Sequence, residues 1–264
     1  MKFRPDPVQM AGLALAAAAA LPVQAAISVS GCSGGDLGDD CSLRELFLGG
    51  TITVDDKLFG TWTGFETTFL FANAPGNPEA SRAANILVTP DDSDPLNPGL
   101  RFSTSAADTL SVSGQNARST FEFGYTVETT DGSPRIKDNS LELAIAVFTG
   151  DGGGVVSIIE RACSAGFEFF NQCGTEVAFK SVVADTVEDV IDLVDEATFA
   201  PRSQLFVSSF FSLFNSEEGD SAALLVWEQH FSQTSVPEPG SFALLGAAVA
   251  GMWGVRVRRR RLQT

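Results

Sequence analysis

Strict alternation of apolar and polar residues marks the middle of the chain. In residues 119–128, Phe121, Phe123, Tyr125 and Val127 fall on one side, with Glu122, Gly124, Thr126 and Glu128 on the other. This is the period of a half-buried strand. Comparable patterns predict strands over 51–54, 64–71, 86–89, 101–105 and 109–113, and again over 141–149, 155–161, 176–183, 204–213 and 222–231. Turn-forming runs separate them: Asn73-Ala74-Pro75-Gly76, Asp94 to Gly99, Asp131-Gly132-Ser133-Pro134 and Asp151 to Gly154. Many short strands at near-regular spacing predict an all-β fold, a single two-sheet sandwich of jelly-roll-like kind. The stretch 186–197 fits this pattern least. Val187, Val190, Ile191 and Val194 have helical spacing, and Thr186 and Asp189 are placed like a capping box. Its β-branched residues and acids would also suit an edge strand or exposed loop; a short helix or turn is the expectation.

The two ends follow another pattern. Lys2 and Arg4 precede an alanine-rich apolar run from Met10 to Leu21, then Val23-Gln24-Ala25. These are the three regions of a secretory signal peptide spanning residues 1–25. Val29-Ser30-Gly31-Cys32 has the look of a lipobox but stands away from the apolar run, and its use would leave three cysteines unpaired. At the other end, residues 242–255 carry no charge. As a helix they would cover roughly 21 Å of a hydrocarbon layer about 30 Å thick. Arginine snorkelling and extension at both ends would make a short transmembrane helix workable. Arg256, Arg258, Arg259, Arg260 and Arg261 would stop it on the cytoplasmic side. Just before it, Pro237 and Pro239 hold Val236 and Glu238 extended. Gly240 and Ser241 then open the helix, Ser241 as its N-cap.

Val236-Pro237-Glu238-Pro239-Gly240-Ser241, a short apolar helix and an arginine-rich terminus together resemble the PEP-CTERM sorting signal, over residues 236–264. That resemblance implies recognition by exosortase, transient retention in the inner membrane of a Gram-negative bacterium, and arrival at the cell surface or exopolysaccharide matrix. A permanent, unprocessed C-terminal anchor is the alternative. Phe123-Gly124-Tyr125-Thr126-Val127, Ser157-Ile158-Ile159-Glu160 and Phe231-Ser232-Gln233 are similar to segments of other PEP-CTERM surface proteins, which bring no established activity. The domain plan is thus a signal peptide (1–25), a β-sandwich domain (26–235) and a sorting signal (236–264).

Charge sharpens the picture of the middle. The full chain has 17 basic and 33 acidic residues and a net charge of −16. Seven of the basic residues but only Asp6 and Glu238 of the acidic ones lie in the two end segments, so residues 26–235 are more acidic still. Nucleic acid and anionic lipid are excluded as partners on this ground. The four cysteines form two close pairs, Cys32 and Cys41, and Cys163 and Cys173. Export makes disulfides the default. Three connectivities exist, and local closure of each pair is preferred because it staples one surface loop.

Catalytic chemistry has few candidates. His230 is the single histidine, no Gly-x-Ser-x-Gly elbow occurs, and multi-histidine zinc sites are ruled out by count. No cofactor fingerprint is present; Gly152-Gly153-Gly154 joins two strands rather than opening a helix. Calcium is the one ion the sequence suggests, at Asp91, Asp92 and Asp94, or at Asp36, Asp39 and Asp40 between the first two cysteines, although neither set follows an EF-hand. Such acidic loops are more often simply solvated. The 21 phenylalanines against one tyrosine suit a core better than a sugar-binding platform. The expectation is a non-enzymatic structural or adhesive protein. A lectin-like module binding extracellular polysaccharide, with or without calcium, is the first rival; a secreted glycan hydrolase is the second. A sugar groove would be lined by acids and by exposed Trp62 or Trp227.

Overall fold

The computed structural model describes residues 27–33, 40–65, 79–105, 109–130, 135–150, 153–168 and 172–234. The expected signal peptide, the sorting signal, Asp36 and Asp39, and the turns at 73–76 and 131–134 lie outside the described residues.

The first strands are β1 (Ile27–Ser30), β2 (Cys41–Ser42), β3 (Thr51–Val54), β4 (Lys57–Phe65), β5 (Ile86–Asp91) and β6 (Gly99–Thr104). Next come β7 (Ser111–Ser113), β8 (Ala117–Thr129), β9 (Ile136–Thr149), β10 (Gly154–Cys163), β11 (Phe167–Glu168) and β12 (Gln172–Cys173). The last are β13 (Glu176–Asp185), β14 (Val190–Asp192), β15 (Val194–Arg202), β16 (Gln204–Asn215) and β17 (Ser221–Gln233). Two short helices, α1 (Leu43–Phe47) and α2 (Glu79–Asn85), interrupt them. One sheet has the order β1-β3-β4-β8-β16-β10-β13-β14; the other runs β15-β9-β17-β6-β5-β2, with β7 also on β17. Their strand pairings are all antiparallel, and the two sheets pack face to face as a sandwich.

Alternation makes the core. Phe121, Phe123, Tyr125 and Val127 of β8 point inward and are buried. Across the interior Phe123 meets Phe102 at 5.6 Å, Phe211 meets Trp227 at 4.9 Å and Phe59 meets Phe231 at 5.7 Å between ring centroids. Each such ring removed from water contributes about 1.5–3 kcal/mol. Two irregularities reset the alternation. Thr61, at φ 49°, sits in a bulge between Gly60 and Thr63 that turns Trp62 inward onto Tyr125. In β17 the register slips between Val226 and Trp227, so that both are buried in succession. Beyond the slip Gln229 and Phe231 face the core. Glu228 and His230 take the opposite face.

The helix expected over 186–197 does not form. The Asp185 carboxylate accepts from the backbone N–H groups of Val187 and Glu188 at 2.7 and 3.1 Å, a local side-chain turn that competes with helix. The chain then pairs β14 with β13 at the edge of one sheet and, one residue later, β15 with β9 at the edge of the other. The edge-strand alternative is therefore the observed one, and this crossover closes one side of the sandwich.

Both cysteine pairs close locally, Cys32–Cys41 and Cys163–Cys173. Cys32 is thus held in a disulfide rather than standing as a lipobox thiol. Beside it, Ser42 caps α1: its hydroxyl accepts from Glu45 N–H at 3.3 Å, and the Glu45 carboxylate accepts from Ser42 N–H at 2.9 Å.

Candidate functional site

The outer face of the second sheet gathers the residues with metal or acid–base chemistry. Asp91, Gly99 and His230 are direct neighbours across β5, β6 and β17. Gly99 lacks a side chain where His230 needs room: a Cβ there would stand 2.5 Å from His230 Nδ1 and 2.3 Å from the Gln229 carbonyl. The imidazole reaches across the glycine toward β5. Its Nε2 lies 3.9 Å from Asp91 Oδ2 and 3.7 Å from Glu228 Oε2. Its Nδ1 is 3.1 Å from the Asn97 carbonyl, which can only accept, so the ring hydrogen belongs on Nδ1. In the neutral ring the Nε2 lone pair then faces two carboxylates, three donor atoms that could hold one cation. Arg101 offsets part of this charge by binding the other oxygen of Glu228 at 2.5 Å. Burial pushes the Asp91 carboxyl up, but hydrogen bonds from Ser93 and the nearby His230 and Arg101 outweigh it, and the balance lies below the ordinary range.

Of the calcium candidates among the described residues, only Asp91 joins this group. Asp91 and Asp94 each use a carboxylate oxygen to hold the connecting turn, accepting from Ser93 N–H at 2.9 Å and Leu96 N–H at 3.0 Å. The structure gathers Asp91, Glu228 and His230 rather than Asp91, Asp92 and Asp94. Calcium takes six to eight oxygen ligands, roughly, whereas an imidazole with two carboxylates suits zinc or manganese better. Sequence reading missed Glu228 because it assigned β17 an unbroken alternation. Next to the group opens a cleft of about 480 Å³ lined by Asp94, Asn97, Lys137, Asp138, Glu196 and Ser232 among others. Trp62 and Trp227, the expected sugar-stacking residues, are instead buried, at 7% and 0% exposure.

A second polar group lies between the sheets. Glu160 of β10 and Lys180 of β13 are direct cross-strand partners, both fully buried, with Glu160 Oε1 2.6 Å from Lys180 Nζ. From the opposite sheet, Asn139 Nδ2 donates to the same Oε1 at 2.8 Å. Gln229 Nε2 donates to Glu160 Oε2 and, at 2.9 Å, to Ser209 Oγ, while Tyr125 donates its hydroxyl hydrogen to Gln229 Oε1. Burial is the largest influence on both charged groups: it raises the Glu160 carboxyl and lowers the Lys180 amine, against their mutual attraction. Tyr125 is pushed well above its ordinary value, chiefly by burial and then by Glu160. The signal was present in the sequence. Glu160 is in phase with Val156 and Ile158, and Lys180 with Ala178 and Val182, all inward-facing.

β17 ends at Gln233, and Thr234 N–H bonds the Arg135 carbonyl at 2.9 Å. The next residue begins a recognisable signal, since the PEP-CTERM protein-sorting motif matches residues 235–260. The chain carries an exosortase-sorting signal. It therefore reads as an exported protein sorted to the cell surface, with a central sandwich that the motif does not characterise.

No curated protein matches the chain. Among solved structures, that of TmCBM61 in complex with beta-1,4-galactotriose is 11% identical with a TM-score of 0.24, covering 64% of this chain and 87% of that one. Trichoderma harzianum endoglucanase 3 from family GH12 is 10% identical with a TM-score of 0.21, covering 65% and 98%. Likenesses this distant carry no functional argument. The PEP-CTERM motif hangs directly from β17, which lies between β9 and β6 inside its sheet, so the folded cargo begins one residue from the sorting signal. Among the described residues no helix is long and apolar enough to cross a membrane; residues 242–255 lie outside them.

Proposed function

We propose that this chain is a structural or adhesive protein of the surface or exopolysaccharide matrix of a Gram-negative bacterium, released by exosortase, whose sandwich turns over no substrate. The observation that carries this reading is the PEP-CTERM motif joined without a linker to a disulfide-stapled sandwich. A secretory signal at residues 1–25 would export the chain, and residues 242–255 with the arginines from Arg256 to Arg261 would park it in the inner membrane. Exosortase would then cut near Pro237–Pro239. The acidic middle supports a partner other than nucleic acid or anionic lipid. Mass spectrometry of the mature protein tests the processing: a C-terminus near residues 237–239 is expected, and an intact end at Thr264 in exosortase-bearing cells would refute it. Deleting Arg258 to Arg261 should leave the chain uncut or mislocalised.

A lectin-like role for the same exported domain is favoured by one feature, the polar cleft beside Asp91, Glu228 and His230. Its hydroxyl, amide and carboxylate groups suit sugar hydroxyls, and a divalent ion on the three side chains would order the loop at Asn97. Glycan-array binding abolished by chelator supports this role. Binding that is absent with and without metal leaves the structural role.

A further inference from the structure

We propose that Lys180 and Asn139 become joined by an intramolecular isopeptide bond, formed by the chain itself with Glu160 as catalytic acid and base, so that the two sheets are covalently tied.

Placement carries the inference. Lys180 sits on β13 of one sheet and Asn139 on β9 of the other, with exposures of 0% and 1%. A single oxygen of Glu160 contacts both, at 2.6 Å to the amine and 2.8 Å to the amide nitrogen. Amine and amide are therefore no farther apart than two hydrogen bonds laid end to end. Both groups are confined to one water-excluded site, and attack needs them to close to roughly 3–3.5 Å, the proximity that an uncatalysed amide exchange lacks. The remaining bonding capacity points the same way. Among the described residues Asn139 Oδ1 has no hydrogen-bond partner, and Lys180 forms an ion pair with Glu160 alone. Gln229 is the other amide beside Glu160, but its carbonyl is taken by Tyr125 and its nitrogen by Glu160 and Ser209. Asn139 is thus the amide with an open carbonyl. A buried ion pair is a costly element in a core that hydrophobic residues could fill, which asks for a reason beyond stability.

The chemistry balances without a cofactor. Proton transfer from the Lys180 ammonium to the Glu160 carboxylate across their 2.6 Å contact gives the neutral amine and acid required, and burial of both groups favours that transfer. Turning the Asn139 amide about its Cβ–Cγ bond brings Oδ1 to the Glu160 oxygen that Nδ2 now meets. Lys180 Nζ then attacks Asn139 Cγ while Glu160 gives its proton to Oδ1. The carboxylate so formed accepts a proton from the attacking nitrogen. On collapse, the Cγ–Nδ2 bond breaks, the Oδ1 proton passes back through Glu160, and Nδ2 leaves with the extra hydrogen as ammonia. The product is one Nζ–Cγ amide; Glu160 ends as it began, and nothing is oxidised or reduced. Only this chain's own side chains take part, so the inference does not depend on the sorting or lectin readings.

The test is intact mass of the purified, disulfide-reduced full chain, with its ends mapped by peptide analysis. Wild-type protein should be lighter than its sequence by one ammonia. Tandem mass spectrometry should find the Lys180 peptide joined to the Asn139 peptide. Glu160→Gln, which keeps the volume and removes the acid, should have the uncorrected mass. Asn139→Asp should lose a water instead of ammonia. A wild-type mass equal to the sequence overturns the proposal, independently of whether any variant folds. A cross-link mapped to Gln229 overturns the assignment to Asn139.

Discussion

At single residues, the structure replaces several apparently featureless positions with specific demands. Gly99 is one: an added Cβ would meet the Gln229 carbonyl and the His230 ring. Gly99→Ala should cost about 1–3 kcal/mol through forced displacement, measured as urea unfolding, and should move His230 away from Asp91. Trp227, fully buried and stacked 4.9 Å from Phe102, should cost about 3–5 kcal/mol on truncation to alanine. Glu45 supplies a pH dependence. Its carboxyl is lowered from 4.5 to about 2, first by the Ser33 hydroxyl, then by the N–H groups of Ser33 and Ser42. A depressed carboxyl stabilises the fold above its unfolded value and loses that contribution as pH falls through the folded one. Melting temperature should therefore decline between about pH 4.5 and 2, and Glu45→Gln should flatten that decline while lowering stability at neutral pH.

Among the elements, those with local causes behave as their sequences suggest. Cys32–Cys41 and Cys163–Cys173 each close a loop of about ten residues. Replacing either pair by serine should cost roughly 2–3 kcal/mol in the chain-entropy account, read as a shift in denaturation midpoint. Strand β8 was legible because Phe121 to Val127 alternate without a break, but it is not half-buried as expected: Glu122, Gly124 and Thr126 on its other face are buried as well. β14 and β15 were not. Val187, Val190, Ile191 and Val194 satisfy a helical period, yet Asp185 captures the backbone of the turn, and the partners β13 and β9 offer free edges on two different sheets. Intrinsic pattern lost to pairing that no local window contains.

For the whole molecule, the sandwich and its sorting signal form one device: an acidic, disulfide-closed body attached to the PEP-CTERM motif through an interior strand. Replacing Pro237 and Pro239 by alanine should leave the chain uncut, which anti-tag blots of membrane and surface fractions would show. The existence of strands, the local pairing of cysteines and the tail signal were all readable along the chain, since each depends on neighbours within a dozen or so residues. The face a side chain occupies was not. A slip at Val226 and Trp227 puts Gln229 inside with Glu160 and leaves Glu228 and His230 outside beside Asp91, because a period of two turns every one-residue shift into an exchange of faces. Likewise Glu160 and Lys180 meet by strand pairing within one sheet, and only the packing of the other sheet on it brings Asn139 to Glu160.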